Sequence, residues 1–171
     1  MHKYRTHTCG ELRESQIGQQ VRLSGWLHNR RDLGGVEFIE VRDHHGITQI
    51  VVRPESPASA QLLSIPKETV IRVDGKVVAR GAENINPSLP TGNIEVEVSE
   101  CEILGTCESL PFSVFPERDV GEETRLKYRF LDLRRSKLHQ NIVLRSKVIA
   151  SIRQRMWAEG FHEFQTPILT S

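Results

Sequence analysis

Between residues 20 and 105, apolar and polar side chains alternate in five runs, and this period-two pattern most constrains what the chain can fold into. The runs are "QVRLSGWLHNR", "VEFIEVRD", "ITQIVVR", "TVIRVDGKVVAR" and "NIEVEVSECEIL". Successive side chains on a strand point to opposite faces, so such runs form half-buried strands rather than amphipathic helices of period 3.6. Turn-forming residues separate them. One segment departs from the pattern: "PESPASAQLLSIPKE", between the third and fourth runs. Here Pro57 opens a short predicted helix carrying Leu62 and Leu63, and Pro66 ends it.

Five strands with one helix between the third and fourth is the order of the oligonucleotide/oligosaccharide-binding (OB-fold) barrel. The predicted fold class is therefore mainly β. From residue 106 the alternation stops, and "TCESLPFSVFPERDVGEETRLKYRFLDLRR" reads as a linker or hinge with a short helix near its end. Ser136 is then a predicted N-cap for a helix over 137–159, with Leu138, Ile142, Ile149, Ile152 and Met156 spaced for one face and Gly160 as its stop. "FHEFQTPILTS" follows as an extended segment. The expected organisation is a barrel domain over 1–108, a hinge over 109–136, and over 137–171 the start of a second, truncated domain.

Splitting each run by strand phase separates a core set from an outward set. Ile39 and Val41, Ile50 and Val52, and Ile94, Val96 and Val98 fall in the core phase. Phe38, Gln49 and Glu95 fall in the other, so all three are expected to point away from the barrel interior. An outward aromatic flanked by amide, carboxylate and guanidinium groups suits a reader of single strands. One base stacks on the ring, worth about 1–3 kcal/mol, while polar neighbours address base edges. Arg30, Arg31 and Arg80 lie where phosphates or bases could meet them, and "NRRDLGG" and "ARGAENIN" are predicted turns bordering that face. Alternation alone leaves open that Phe38 covers a patch beneath a loop.

Charge narrows the partner class. Net charge is +1; residues 1–108 carry 12 Lys+Arg against 15 Asp+Glu, and residues 109–171 carry 11 against 7. Bulk attraction to long duplexes is excluded, so any nucleic-acid contact must rest on local placement. The three cysteines, Cys9, Cys101 and Cys107, contain no C-x-x-C pair, which argues against a disulfide framework or thiolate zinc site. His44 and His45 read as a solvated turn. Phosphate-loop, dinucleotide and zinc-hydrolase motifs are absent from the sequence, and the strand carboxylates Asp43, Asp74, Glu95 and Glu97 show no catalytic pairing. No apolar run reaches the roughly 18 residues of a membrane span and "MHKYRTHTCG" lacks a secretion signal's apolar stretch, so a cytoplasmic location without membrane contact is expected.

The words "CGELRESQIGQQVRLSGWLHNRRDLGGVEFIEVRD", "GITQIVV", "NINPSLPTGNIEVEV", "EETRLKYRFLDLRR" and "GFHEFQTPILT" closely resemble the amino-terminal part of bacterial-type aspartyl-tRNA synthetases. The resemblance spans essentially the whole chain. It implies an anticodon-binding barrel, a hinge, and motif 1 of a class II α+β catalytic domain, with Pro167 at the motif's proline. It also implies that Phe38 stacks the central anticodon base, a uridine, that Gln49 and Glu95 read base edges, and that Arg31, Arg80 and Asn84 make further anticodon contacts. The partner implied is the anticodon loop of tRNA-Asp. Aspartate, ATP and magnesium belong to the parent enzyme, expected to be a homodimer. The fragment itself is expected to carry no cofactor, metal or catalytic residue and to be inactive in aminoacylation. The alternative is a stand-alone OB-fold single-strand binding protein.

Overall fold

The computed structural model describes residues 2–115 and 117–166. They fall into two compact units, 1–110 and 111–171.

In the first unit the five alternating runs become five strands: β1 (Gln20–Leu33), β2 (Val36–Arg42), β3 (Ile47–Val52), β4 (Val70–Ala79) and β5 (Ile94–Gly105). A five-residue helix, α1 (Ser59–Leu63), lies between β3 and β4. The strands close into a barrel in the order β1-β2-β3-β5-β4. Closure depends on β1 being long enough for two neighbours. Its first half, Gln20 to Trp26, pairs with β4, and its second half, Trp26 to Leu33, pairs with β2, with a register shift between Leu27 and Asn29. Such an irregularity bends a strand, as a small barrel requires. The last link is parallel, Ile50 against Val96.

The core phase is as the alternation predicts. Leu23, Leu27, Ile39, Val41, Ile50, Val52, Ile71, Val73, Ile94 and Val96 are fully buried, and α1 contributes Leu62 to the same cluster. Leu63 of α1 is exposed. The segment before β1 also joins the core through Cys9 and Leu12. It is pinned where Thr6 N donates to Arg22 O at 2.9 Å, Cys9 N donates to Asp43 Oδ2 at 2.9 Å and Thr48 Oγ1 donates to Cys9 O at 2.7 Å. Burial pushes the Cys9 thiol strongly up and the Cys101 thiol to about 11, so both remain protonated thiols.

The predicted turn "NRRDLGG" is corrected by the structure. Arg30 to Leu33 continue β1, and the turn is confined to Gly34 and Gly35, with φ of 66° and 90°. Two successive left-handed residues make the tight hairpin whose twist matches the flanking strands, and glycine adopts that conformation without strain. Asp32 Oδ1 accepts the Gly35 N–H at 2.8 Å and fixes the turn.

Away from the outward face, Arg42 and Glu68 form an ion pair at 2.7 Å with both side chains almost fully buried. Among the described residues Glu68 alone is a non-glycine with positive φ, 67°. Its N–H donates to Leu27 O at 2.8 Å, so the strained backbone is held from both sides. Arg42 Nη1 also lies 2.9 Å from His28 Nδ1. Burial first, then the positive charges of Arg42 and Lys67, hold the His28 pKa down to about 4, so the ring is neutral and accepts from Arg42.

The second unit is helical: α2 (Glu122–Lys127), α3 (Arg129–Asp132) and α4 (Ser136–Ala158). The fully buried Asp132 accepts from Arg129 at 2.6 Å and Arg135 at 3.5 Å. Ser136 is not the N-cap. Arg135 takes that position, and Glu117 Oε1 accepts the Ser136 N–H at 2.5 Å, placing a negative charge at the positive end of a 23-residue helix. Gly160, at φ 84°, ends it as expected. Residues 161–166 form no strand, and the remainder of the predicted extended segment, Pro167 included, lies outside the described residues.

Candidate nucleic-acid interface

The register of β1, β2 and β3 sets four outward side chains side by side. Arg31 lies opposite Phe38, and Glu40 opposite Gln49 on the next strand pair. Arg31 Nη2 donates to Gln49 Oε1 at 3.3 Å, and Gln49 Nε2 donates to Glu95 Oε2 at 2.8 Å, so one relay crosses from β1 through β3 to β5. Arg31 also approaches Glu40 at 3.9 Å. Within the relay Gln49 points out of the core phase yet is buried, only 4% exposed. Phe38 and Glu95 are half-buried. Phe38 therefore offers ring surface outside the core.

Beside this face lies a cleft of about 460 Å³. It is lined by five of the six residues singled out in the sequence: Arg31, Phe38, Gln49, Arg80 and Asn84. The sixth, Glu95, reaches the cleft through its bond to Gln49. Strand phase did not foretell the opposite wall. A single 3-10 turn, Ala82–Asn84, leads into Ile85 and Asn86, and Glu83, Ile85 and Asn86 line the cleft from there. The hairpin tip adds Leu33 and Val36. The signal available for the wall was "ARGAENIN" as a turn bordering the face, which located it without naming its cleft-facing members.

The arginines divide. Arg30 donates to the carbonyls of Leu62 and Leu63 at 2.9 and 2.7 Å, closing the end of α1, and is withdrawn from the cleft. Arg80 is only 8% exposed. Its Nε donates to Ile94 O at 2.9 Å and its Nη1 to Asn84 O at 3.5 Å, tying the turn to the start of β5. Among the described residues its Nη2 is buried without a hydrogen-bond partner. Burial holds the Arg80 guanidinium below its ordinary value, with Glu95 and Glu40 acting in the opposite sense. Arginine stays protonated across any working pH. The cleft thus presents a desolvated cation with a free donor beside an aromatic ring and an amide.

Residues 21–104 match the OB-fold nucleic acid binding domain, and residues 121–171 match the class II tRNA synthetases (D, K and N). Over all 171 residues the chain is 63% identical to an aspartate–tRNA ligase of Streptomyces griseus and 58% identical to an aspartate–tRNA(Asp/Asn) ligase of a Caulobacter species. The chain is a homologue of the aspartate–tRNA ligases. It is matched in full and spans 28% of the length of each of these relatives. An asparaginyl-tRNA synthetase from Pyrococcus horikoshii superposes with a TM-score of 0.81 at 28% identity, covering 96% of this chain and 38% of that one. The mainly β OB-fold reading and its class II neighbour are thereby confirmed. Among the described residues no group of three or more His, Cys, Asp or Glu could hold a metal ion, and no helix is long and apolar enough to cross a membrane.

Proposed function

We propose that this chain is the anticodon-reading part of an aspartate–tRNA ligase. Residues 1–108 are the reader, 109–136 the connector, and 137–171 the beginning of the class II catalytic domain. The observation that carries this is the convergence of Arg31, Phe38, Gln49, Arg80 and Asn84 on one cleft of an OB-fold barrel, in a chain homologous to aspartate–tRNA ligases along its whole length.

The cleft works as follows. The central anticodon base, a uridine, stacks on Phe38. Gln49, already bonded on both sides, is held with its remaining N–H and lone pair toward the base edge. Arg31 and Arg80 supply donors for base carbonyls or phosphate oxygens, and Asn84 supplies an amide from the turn. Because the relay and the Arg80 bonds exist before RNA arrives, little side-chain freedom is lost on binding. The parent protein uses ATP and magnesium to activate aspartate and transfers it to tRNA-Asp as a homodimer in the cytoplasm. The described residues of this chain contain no acidic or histidine set that fits the magnesium, and the work assigned to them is binding.

The test is fluorescence anisotropy with a labelled anticodon stem-loop bearing GUC, beside a scrambled loop, repeated with Phe38→Ala. A preference for GUC that disappears in the variant is expected. Equal binding to both loops would replace this reading with that of a general single-strand binder.

A further inference from the structure

The outward face that carries Phe38 does not end at the cleft. Along β1 and β2 the register sets Arg31 opposite Phe38, then Asn29 opposite Glu40, then Trp26 opposite Arg42. Of these pairs the cleft takes in only the first. Onto the second a side chain arrives from outside both strands: Lys67 Nζ donates to Asn29 Oδ1 at 2.8 Å. At about 3.3 Å per residue, Asn29 stands about 7 Å along β1 from Arg31. Lys67 therefore lies next to the cleft, on the face over which a bound strand would continue.

The turn that presents Lys67 is held firmly. Thr69 N donates to Pro66 O at 3.3 Å, and Leu27 N donates to Thr69 O at 2.9 Å, so the turn is tied to β1. Between them Glu68 adopts its left-handed backbone, a conformation that costs a non-glycine residue about 1 kcal/mol or more and persists only where the surroundings enforce it. Here Leu27 O takes its N–H at 2.8 Å and Arg42 takes its carboxylate at 2.7 Å. Glu68 is thus turned onto Arg42, while its neighbour Lys67 is left exposed.

The charges around Lys67 leave its own uncompensated. Arg42 and Glu68 neutralise each other, His28 is a neutral ring, and Glu40 faces Arg31. Among the described residues Lys67 has no ion-pair partner, and its bond goes to the neutral amide of Asn29. An amide oxygen orients an ammonium group without cancelling its charge, and two N–H donors stay free. On a barrel that carries more acidic than basic residues, such a locally placed cation is what an RNA phosphate would find.

We infer that Lys67, oriented by Asn29, binds a backbone phosphate of the RNA strand beyond the base stacked on Phe38. This rests on the anticodon reading and extends the binding face past the cleft to a residue that neither strand phase nor family resemblance singled out. A phosphate contact fixes the register of the strand and carries no sequence information.

The experiment is a salt titration. The 171-residue protein, Lys67→Gln and Lys67→Arg are each titrated with the GUC stem-loop and with the scrambled loop at several salt concentrations, with urea midpoints measured beside them. In Lys67→Gln the GUC loop binds about fivefold more weakly at low salt, and the slope of log affinity against log salt becomes shallower by about 0.7–0.9, the loss of one phosphate contact. The ratio of GUC to scrambled binding stays within about twofold of the unsubstituted protein's. Lys67→Arg keeps the original slope, and the urea midpoints of all three proteins agree. An unchanged slope in Lys67→Gln overturns the phosphate assignment and leaves the anticodon reading in place, as does a lost GUC preference at constant slope, which would make Lys67 a base reader. Weaker binding that follows a lowered urea midpoint in both variants overturns it too, by assigning Lys67 to the fold. Absence of GUC preference in the unsubstituted protein removes the anticodon reading and this extension of it together.

Discussion

The barrel and α4 treat their apolar side chains in opposite ways. In the barrel, Leu23, Ile39, Ile50 and Val73 are fully buried, with their outward neighbours left to polar and aromatic groups. In the helical unit α4 buries none of its 23 residues, and Leu144, Ile152, Met156 and Trp157 all remain exposed. A strand with one apolar face finds its complement when the sheet closes on itself. A single helix with one apolar face finds none within itself, since its stability comes from packing against something else. The barrel is therefore a self-contained platform, and the outward cleft stands on rigid, already satisfied strands.

The contrast is sharpest in core truncation. Ile39→Ala lowers barrel stability by about 4 kcal/mol, whereas Ile152→Ala on α4 changes stability by less than about 0.5 kcal/mol. Urea denaturation followed by far-UV circular dichroism measures both, and equal effects would break the comparison.

Ion pairs divide in the same way. Removing Glu68 strands Arg42 in a nearly closed site, so Glu68→Ala costs about 3 kcal/mol. Arg153 and Glu163 are joined at 2.9 Å but half exposed, and Glu163→Ala costs under about 1 kcal/mol. The same denaturation experiment at high and low salt separates them, because screening weakens the exposed pair only.

Phe38→Ala, on the outward face, lowers stem-loop affinity by about 1–3 kcal/mol and leaves the urea midpoint nearly unchanged. A large loss of stability instead would place the ring in the core.

A further effect expected is a slope with pH. His28 has a folded-state pKa of about 4, below its unfolded value, so between pH 6.5 and 4 the unfolded chain binds the extra proton. Barrel stability therefore falls as pH is lowered through that window, and His28→Gln flattens the slope. A slope that survives the substitution would assign the effect elsewhere.

The period-two pattern disclosed the barrel because a strand's facing is local: Ile39 inside and Phe38 outside follow from sequence parity alone. Gln49 and Glu95 were legible for the same reason. The burial of Gln49 was not, since it depends on Arg31 and Glu95 arriving from other strands. Nor was the fate of the arginines. Arg30 and Arg31 are adjacent on β1 and so face opposite ways, one closing α1 and the other facing the cleft, but "NRRDLGG" reads as a turn, to which the alternation does not apply. Arg80 and Glu83 lie in an aperiodic turn, where parity says nothing and the hydrogen bonds to Ile94 O and Asn84 O decide the geometry.

The central claim is that RNA enters the cleft between Phe38 and the turn at 82–86 and that the helical unit takes no part in reading the bases. An NMR titration of the isotope-labelled chain with the GUC stem-loop tests it most directly. The account predicts that Arg31, Phe38, Gln49, Arg80 and Asn84 shift together while the α4 resonances stay in place. Shifts confined to the helical unit, or spread over the barrel without a focus on the cleft, would contradict it.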